Sequence, residues 1–304
     1  MTSHHISAII PAMWNTNYDS ISELDGILRS KGLAMSKKFG QNFLVSSAAR
    51  ERIASLIAPE PGMRIWEIGP GLGAITHLII RSGADLTAFE IDHGFAEILR
   101  SDAFGDEECF HLVEGDALKT LFSESYVPDR IIGNLPYNVG SFMIARIIEN
   151  GIIPSRMVIT LQKEVVDRMC ASPGDDDYSS FSVLTQIDYG NRNALLLKRG
   201  CVWPQPQVDS AVVVMEKRKQ SLVPDDLRPL FIPLVRALFS MRRKTIRNNL
   251  SSQRQIAIPV KADAVFEAAG LSGNERAETL SIEKLLHIAE AVYGLTGGMP
   301  EIRS

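Results

Sequence analysis

Short apolar runs alternate with longer amphipathic segments between residues 63 and 162. The run MRIWEIG at residues 63–69 has the length of a strand, whereas AITHLIIRSG at residues 74–83 has the spacing of a helix. Chains that alternate in this way fold into a mostly parallel sheet with helices on both faces. The sequence therefore predicts an α/β fold. The predicted strands of this part are residues 63–69, 85–92, 109–116, 129–134 and 156–162.

A helical pattern after Lys219 indicates a second, smaller domain. We predict an N-terminal extension at residues 1–18, an α/β domain at residues 19–219 and a helical C-terminal domain at residues 220–304. No apolar stretch approaches the roughly 20 residues of a membrane span. The N-terminus also lacks the basic region of a secretory signal. We therefore expect a protein that does not bind a membrane. With its scattered cysteines we expect it in the cytoplasm, and, as a separate expectation, as a monomer.

Cysteine and histidine are placed irregularly along the chain. The three cysteines, Cys109, Cys170 and Cys201, form no CxxC pair, and the six histidines form no ligand spacing. Structural zinc sites and disulfide frameworks need closer clusters of these residues. The sequence predicts neither a metal site nor a disulfide.

Charge is segregated, although the net charge of the 304-residue chain is only −4. Residues 227–262 contain eight basic residues and no acidic one, so the rest of the chain carries a net charge of −12. Such segregation is typical of a surface that binds a polyanion. The alternative is a solvated basic face.

The same segment predicts a continuous helix from residue 233 to about residue 254. That helix would align Arg236, Arg243, Arg247 and Arg254 on one narrow face, because 3.6 residues make one turn. We expect this face to bind the phosphates of a nucleic acid. The predicted contacts are Arg236, Arg242, Arg243, Lys244, Arg247 and Arg254.

A glycine-rich turn, EIGPGLGA, joins the first predicted strand to its helix at residues 67–74. Gly69, Gly71 and Ala74 match the G-x-G-x-x-A pattern of turns that bring backbone close to a nucleotide. The pattern alone is weak, because a tight strand-to-helix turn without any ligand would look the same.

Two acids at strand ends sharpen this interpretation. Glu90 ends the second predicted strand, where a carboxylate can accept from both ribose hydroxyls, and Asp116 ends the third, where it can accept from a purine amine. The carboxyl ends of parallel strands open onto one crevice, so turn and acids together describe a nucleoside pocket. No arginine patch stands beside the turn to bind a pyrophosphate, which favours S-adenosylmethionine over NAD.

The fourth predicted strand ends in GNLPYN at residues 133–138. Asn134 offers a carbonyl oxygen, Pro136 lacks an N–H so that the Leu135 carbonyl can face outward, and Tyr137 offers a flat face for a base. Two acceptors beside an adenine N6 amine would direct its lone pair toward a methyl sulfonium, which is electrostatic and orientational catalysis. No general base is needed, because the methylated nitrogen loses its proton to water. The alternative is a proline turn with a core tyrosine.

These stretches resemble, in order and over about residues 20–290, the ribosomal RNA adenine N6,N6-dimethyltransferase family, and specifically its small-subunit branch. The motifs GNLPYN and RRKTIRNNL are specific to the resemblance, whereas the glycine turn is not. The segments that carry it are KKFGQNFL, EIGPGLGAIT, FEID, GDAL, GNLPYN, LQKEVVDR, VDSAVV and FSMRRKTIRNNL.

The resemblance implies a Rossmann-like S-adenosylmethionine-dependent methyltransferase fold and a set of site residues. By this resemblance Phe181 packs against a flipped base opposite Tyr137, and Asn134 contacts both the cofactor and the target amine. Gly140 departs from the family, which usually has Ser or Thr there. The implied and predicted cofactor contacts are Asn42, Leu44, Gly69, Gly71, Glu90, Asp116 and Asn134, and the catalytic set is Asn134, Leu135, Pro136, Tyr137 and Phe181.

The implied activity is dimethylation of two adjacent adenines in a 3′-terminal hairpin of small-subunit rRNA, within an immature 30S-type particle. A resistance-type dimethyltransferase of large-subunit rRNA shares the catalytic motif and is the nearest alternative. A non-catalytic assembly factor that keeps the fold is the alternative from another class, and an NAD oxidoreductase is more distant.

Overall fold

The computed structural model describes residues 14–36 and 40–302. Most of the predicted extension at residues 1–18 therefore lies outside the described residues. Within its last part Tyr18 is buried, and its hydroxyl donates to the Leu72 carbonyl oxygen at 2.8 Å. None of the helices in the described residues is long and apolar enough to cross a membrane.

A seven-stranded sheet forms the centre of the fold. Its strands are β2 (Arg64–Ile68), β3 (Asp85–Glu90), β4 (Phe110–Glu114), β5 (Arg130–Asn134), β6 (Arg156–Gln162), β7 (Tyr189–Leu197) and β9 (Ser210–Lys217). The strand order is β4-β3-β2-β5-β6-β9-β7. The neighbouring pairs β3–β4, β2–β3, β2–β5 and β5–β6 are parallel. The five predicted strands are all present, each within two residues of the predicted bounds, and the predicted α/β fold is confirmed.

Alternation along β2 sends its side chains to opposite faces of the sheet, as in any strand. Ile65 belongs to a buried cluster with residues of the helices before and after β2, whereas Trp66 points the other way and contacts Phe89 and Tyr126. Glu67 lies on the same face as Ile65 and is therefore an acid in an apolar layer.

The helices connect and cover these strands. A separate two-stranded ladder pairs β1 (Phe43–Leu44) with β8 (Val202–Trp203) in antiparallel register. The helices are α1 (Ile21–Ser30), α2 (Ser47–Ile57), α3 (Thr76–Ile80), α4 (His93–Ile98), α5 (Ala117–Thr120), α6 (Gly140–Glu149), α7 (Lys163–Cys170), α8 (Ser180–Gln186), α9 (Arg228–Leu238), α10 (Ile246–Ser252), α11 (Ala262–Ala268) and α12 (Ile282–Thr296).

The chain divides into two compact units that are discontinuous in sequence. The first runs to Met143 and includes residues 154–163 and 194–214; the second contains residues 144–153, 164–193 and 215–304. The sequence-based boundaries at residues 18 and 219 stay predictions.

The predicted helix over residues 233–254 is wrong. Helix α9 begins earlier, at Arg228, and ends at Leu238, and α10 begins only at Ile246. The side-chain hydroxyl of Thr245 accepts from Asn248 N and caps α10, and the buried Asn249 amide donates to the carbonyl oxygens of Leu238 and Met241. These bonds satisfy backbone carbonyl groups at and just after the end of α9 and a backbone N–H group in the first turn of α10. The chain can therefore turn between the two helices. The four arginines do not share one helical face.

A buried ion pair lies in the second unit. The Arg228 guanidinium donates to both carboxylate oxygens of Asp188, with the Nη1–Oδ2 distance at 2.9 Å. It also donates to the Ser221 hydroxyl, and Asp188 is buried. Because Arg228 begins α9, this pair ties the first residue of the helix to Asp188, the residue before β7.

Candidate active site

The glycine turn after β2 is held by backbone conformations that favour glycine. Gly69 and Gly71 have φ values of 71° and 59°, which other residues rarely adopt. The Gly69 N–H donates to the Phe89 carbonyl oxygen at 3.0 Å, and the Gly71 N–H donates to Glu90 Oε2 at 3.0 Å. The turn is thereby tied to the carboxyl end of β3.

Glu90 is fixed at that strand end by two backbone donors. Besides the Gly71 N–H on Oε2, the Asp92 N–H donates to Oε1 at 2.8 Å, and the side chain is only 4% exposed. Burial raises the pKa of the Glu90 carboxyl to about 7, the backbone donors lower it and the charge of Asp92 raises it. Both oxygens retain lone pairs for a ligand.

Glu67 is a second buried acid in the same cavity, and sequence analysis did not select it. It is 3% exposed, and the Thr76 hydroxyl donates to its Oε2 at 2.7 Å. Burial raises the pKa of this carboxyl to about 7; the Thr76 hydrogen bond lowers it, and the charge of Glu90 raises it. A charged residue inside the apolar run RIWEI is a signal that could have selected Glu67, because a strand of this kind rarely buries an acid.

The predicted cofactor residues of the first unit converge on two adjoining cavities. The first contains both glycines of the turn, both buried acids and the N-terminal segment around Asn42. The second contains Asp116, and the two share Gly69, Ile91 and Pro136. The residues of the first that bear on binding are Asn42, Leu44, Glu67, Gly69, Gly71, Glu90 and Asn134.

Asp116 keeps one carboxylate oxygen for the second cavity. It caps α5, where its Oδ1 accepts from the Leu118 N–H at 3.0 Å, and no hydrogen bond of the described residues uses its Oδ2. The apolar walls of this cavity include Ile91, Val139 and Met143. An acceptor between apolar walls suits a flat ring that carries an amine.

Asn134 is oriented by the N-terminal segment. Its Nδ2 donates to the Asn42 carbonyl oxygen at 2.9 Å, while its Oδ1 accepts no hydrogen bond from the described residues. The Asn42 side chain in turn donates to the Gly40 carbonyl oxygen at 2.9 Å. These bonds assign the amide so that its carbonyl oxygen is the free acceptor.

The residues after Asn134 also leave an acceptor open. The Leu135 N–H donates to the Thr160 carbonyl oxygen at 3.1 Å, but no donor of the described residues reaches the Leu135 carbonyl oxygen. Pro136 accepts the turn bonds instead, from the N–H groups of Val139 and Gly140. Tyr137 is half-buried and its hydroxyl is hydrogen-bonded to that of Ser210, while burial raises its pKa.

Gly140, the departure from the family pattern, begins α6 in a crowded position. A Cβ atom at this residue would lie 2.3 Å from Leu161 Cδ2 and 3.3 Å from Leu135 Cβ. Such a contact is far below ordinary van der Waals separation, so the glycine accommodates the Leu161 side chain.

Phe181 belongs to the second unit, apart from the other predicted catalytic residues in sequence. There it lies on α8 and lines an apolar cavity with Phe231, Val235 and the Arg236 side chain. Its packing against a flipped base opposite Tyr137 stays a prediction.

Acids from other elements neutralise part of the basic segment. Arg236 pairs with Glu149, Arg242 with Asp176 at 3.7 Å, and Arg247 with Asp263 at 2.6 Å. Arg243 and Lys244 are exposed, and they and Arg254 have no ion pair among the described residues. The basic segment contains no acid of its own, but acids from elsewhere in the chain pair with three of its arginines.

No group of three or more His, Cys, Asp or Glu side chains that could hold a metal occurs in residues 14–36 and 40–302. The cavities instead offer carboxylates, backbone amides and apolar walls. This donor set fits a nucleoside that carries a cationic amino-acid chain, the chemistry of S-adenosylmethionine.

Comparisons with known proteins agree with this chemistry. A family model described as "Ribosomal RNA adenine dimethylase" matches residues 32–292. The chain is 42% identical over 281 residues to ribosomal RNA small subunit methyltransferase A of Treponema denticola, covering 91% of this chain and 96% of that protein. It is 40% identical to the protein of the same name from Treponema pallidum, covering 92% and 98%.

Solved structures share the fold. A dimethyladenosine transferase from Plasmodium falciparum superposes with a TM-score of 0.68 at 22% identity, covering 80% of this chain and 94% of that one. The 23S rRNA methyltransferase ErmE superposes with a TM-score of 0.62 at 22% identity, covering 82% and 99%.

Proposed function

Because the chain belongs to the ribosomal RNA adenine dimethylase family, and is therefore an rRNA methyltransferase, we propose that it dimethylates the N6 amines of two adjacent adenines in a 3′-terminal hairpin of small-subunit rRNA. The observation that carries the chemistry is the convergence of Glu90 and Asn134 on one cavity that adjoins the cavity of Asp116. The observation that favours the small subunit is identity of up to 42% with relatives of that name over nearly their whole length.

Each part of the pocket has an assigned role. S-adenosylmethionine supplies a methyl group on a sulfonium. Glu90 accepts from the ribose hydroxyls, Asp116 from the adenine amine through its free Oδ2, and the backbone around Gly69 and Gly71 approaches the methionine portion. Asn42 and Leu44 complete the site from the N-terminal side.

The reaction requires the target amine to be held and polarised. We assign this to the open acceptors, Asn134 Oδ1 and the Leu135 carbonyl oxygen, which accept from its two N–H groups. Tyr137 stacks on the flipped base, and Pro136 keeps the Leu135 carbonyl free of a backbone donor. Acceptors that are already fixed in a cavity need little reorganisation when the transition state forms, so they stabilise it effectively.

The direct test is methyl transfer from labelled S-adenosylmethionine to three substrates: undermethylated small subunits, large subunits and naked rRNA. We expect label in small subunits, recovered as N6,N6-dimethyladenosine after digestion to nucleosides. Label only in large subunits would favour the resistance-type activity. Binding of small subunits without any transfer would favour the non-catalytic assembly factor.

Contacts with rRNA are proposed for the six basic residues of the sequence prediction. Because Arg236, Arg242 and Arg247 have acid partners, we assign the larger share to Arg243, Lys244 and Arg254, which have none among the described residues. Phosphate contacts of this kind position the protein without selecting sequence. The substrate is an immature 30S-type particle, and we propose that the protein works as a cytoplasmic monomer.

Replacing Arg243 and Lys244 together by Ala should flatten the plot of log K against log salt concentration. The expected loss of slope is about 0.7–0.9 for each phosphate contact removed. Binding of the rRNA hairpin is measured between low and moderate salt. Arg236→Ala is the matched control, because Arg236 is held by Glu149, and its slope should change less. Equal slopes in the double variant and the unchanged protein would contradict the assignment.

A further inference from the structure

We propose that Ser210 is a positioning residue that fixes the ring of Tyr137 for stacking on the target adenine, an assignment that rests on the proposed function. Ser210 belongs to the segment VDSAVV at residues 208–213, which carries no predicted site residue. In the structure its hydroxyl is hydrogen-bonded to the hydroxyl of Tyr137. Neither hydroxyl has another hydrogen bond among the described residues, so each is the other's polar partner.

The position of Ser210 in the sheet places its hydroxyl on the face that carries the candidate active site. Ser210 begins β9, and Val212 of the same strand belongs to the buried cluster that contains Ile132 of β5. Side chains alternate along a strand, so Ser210 lies on the same face as Asn134, which is two residues after Ile132. The Ser210 hydroxyl and the proposed catalytic amide therefore share one face of the sheet.

The backbone around Ser210 is held in place, so its hydroxyl is a fixed anchor. The Lys163 N–H donates to the Asp209 carbonyl oxygen at 3.0 Å, and Asp209 Oδ1 accepts from the Arg199 N–H at 3.3 Å. Ser210 itself is only 1% exposed. A small side chain that is packed on all sides of a strand has little freedom to follow a partner that moves.

Tyr137 needs such an anchor, because its backbone turn fixes only one end of the side chain. The turn is closed by the N–H groups of Val139 and Gly140, which donate to the Pro136 carbonyl oxygen. The ring beyond it is half-buried, so the fold does not enclose it completely. A bond from the far end of the ring to Ser210 restricts rotation about both side-chain torsions. The stacking face is thus oriented before a base arrives, which lowers the entropic cost of stacking.

A second pair of a tyrosine and a strand hydroxyl in the chain provides a matched control. The hydroxyl of Tyr126 is hydrogen-bonded to that of Thr87 on β3 at 2.9 Å, and Thr87 is buried. Tyr126 is half-buried like Tyr137, but it packs against Trp66, on the sheet face opposite that of Ser210. Breaking this pair therefore removes a similar hydrogen bond without changing a residue of the candidate site.

The test measures single-turnover methyl transfer to undermethylated small subunits, with both the subunits and S-adenosylmethionine saturating. Ser210→Ala and Tyr137→Phe each break the bond and keep the ring. Each should lower the rate by about 3- to 10-fold, the net effect of one hydrogen bond. The double variant should be no slower than either single variant, because all three lack the same bond. The KM for S-adenosylmethionine should stay unchanged in all of them.

Thr87→Val and Tyr126→Phe are the matched controls, and both should keep the normal rate. Similar slowing in these controls would make Ser210 a structural residue. A normal rate in Tyr137→Phe would overturn the assignment even if Ser210→Ala failed to fold. A double variant slowed by the product of the two single effects would also overturn it, because the two hydroxyls would then act independently.

Tyr137→Ala separates this assignment from the proposed function. It removes the ring itself, so we expect a larger loss than in Tyr137→Phe, within the roughly 5- to 150-fold scale of base stacking. If Tyr137→Ala is slow while Ser210→Ala and Tyr137→Phe are normal, the stacking role stands and the positioning role is wrong. No transfer to small subunits by the unchanged protein would contradict the proposed function, and this assignment with it.

Discussion

Replacing Asn134 by Ala should lower the single-turnover rate of methyl transfer by about 10²- to 10³-fold, the scale for losing one fixed polar group that stabilises a transition state. The reason is the orientation of the amide. Its Nδ2 already donates to the Asn42 carbonyl oxygen, so Oδ1 is the group that our proposal assigns to the target amine. The rate is measured with saturating S-adenosylmethionine and prebound substrate.

The affinity for S-adenosylmethionine provides the contrast in the same variant. It should fall much less than the rate, because our proposal assigns the nucleoside to Glu90, Asp116 and the glycine turn, which this variant leaves unchanged. Asn150→Ala, the same substitution after the far end of α6, should change neither quantity. A near-normal single-turnover rate for Asn134→Ala would exclude the proposed role of this amide.

The largest effect on stability is expected from Arg228→Ala. This variant leaves the buried Asp188 carboxylate without its guanidinium partner. Removing one partner of a buried pair typically costs about 3–5 kcal/mol, because the other charge stays desolvated. The change in the free energy of unfolding is measured by urea denaturation of the full chain.

Arg236→Ala is the matched control, since Arg236 lies on the same helix and also pairs with an acid. The Arg236 side chain is 52% exposed and its partner Glu149 is 16% exposed, compared with 19% for Arg228 and 6% for Asp188. Solvent screens a pair with an exposed member, so this variant should lose less stability than Arg228→Ala. Similar losses for both variants would mean that burial does not determine the contribution of these pairs.

Local patterns predicted most of what lies in the first unit. The apolar runs that end at Ile68, Glu90 and Asn134 are strands because their length and composition fit a buried parallel sheet. Since parallel strands point the same way, their carboxyl ends meet, and that geometry alone brings Glu90 and Asn134 to one cavity. This part of the site could be predicted because it depends on strand order and direction rather than on side-chain detail.

The features that could not be predicted depend on contacts between distant residues. The sequence of residues 233–254 has the period of one helix. In the structure Thr245 caps the start of α10 and the Asn249 side chain binds the end of α9, so the segment forms two helices. The acids that neutralise Arg236 and Arg247 come from other elements, so charge counted along the sequence overstated the basic surface. Glu67 was not selected because its burial follows from both neighbouring strands and α3.

The two buried carboxyls make the stability of the fold depend on pH. Glu67 and Glu90 bind protons more tightly in the fold than in an unfolded chain, so as pH rises from about 4.5 to above 7 their ionisation increasingly favours unfolding. A ligand that binds only the folded state offsets this cost by mass action. We therefore expect a ligand that fills the cavity of these two carboxyls to slow proteolysis of the protein, because proteases act mainly on the unfolded state.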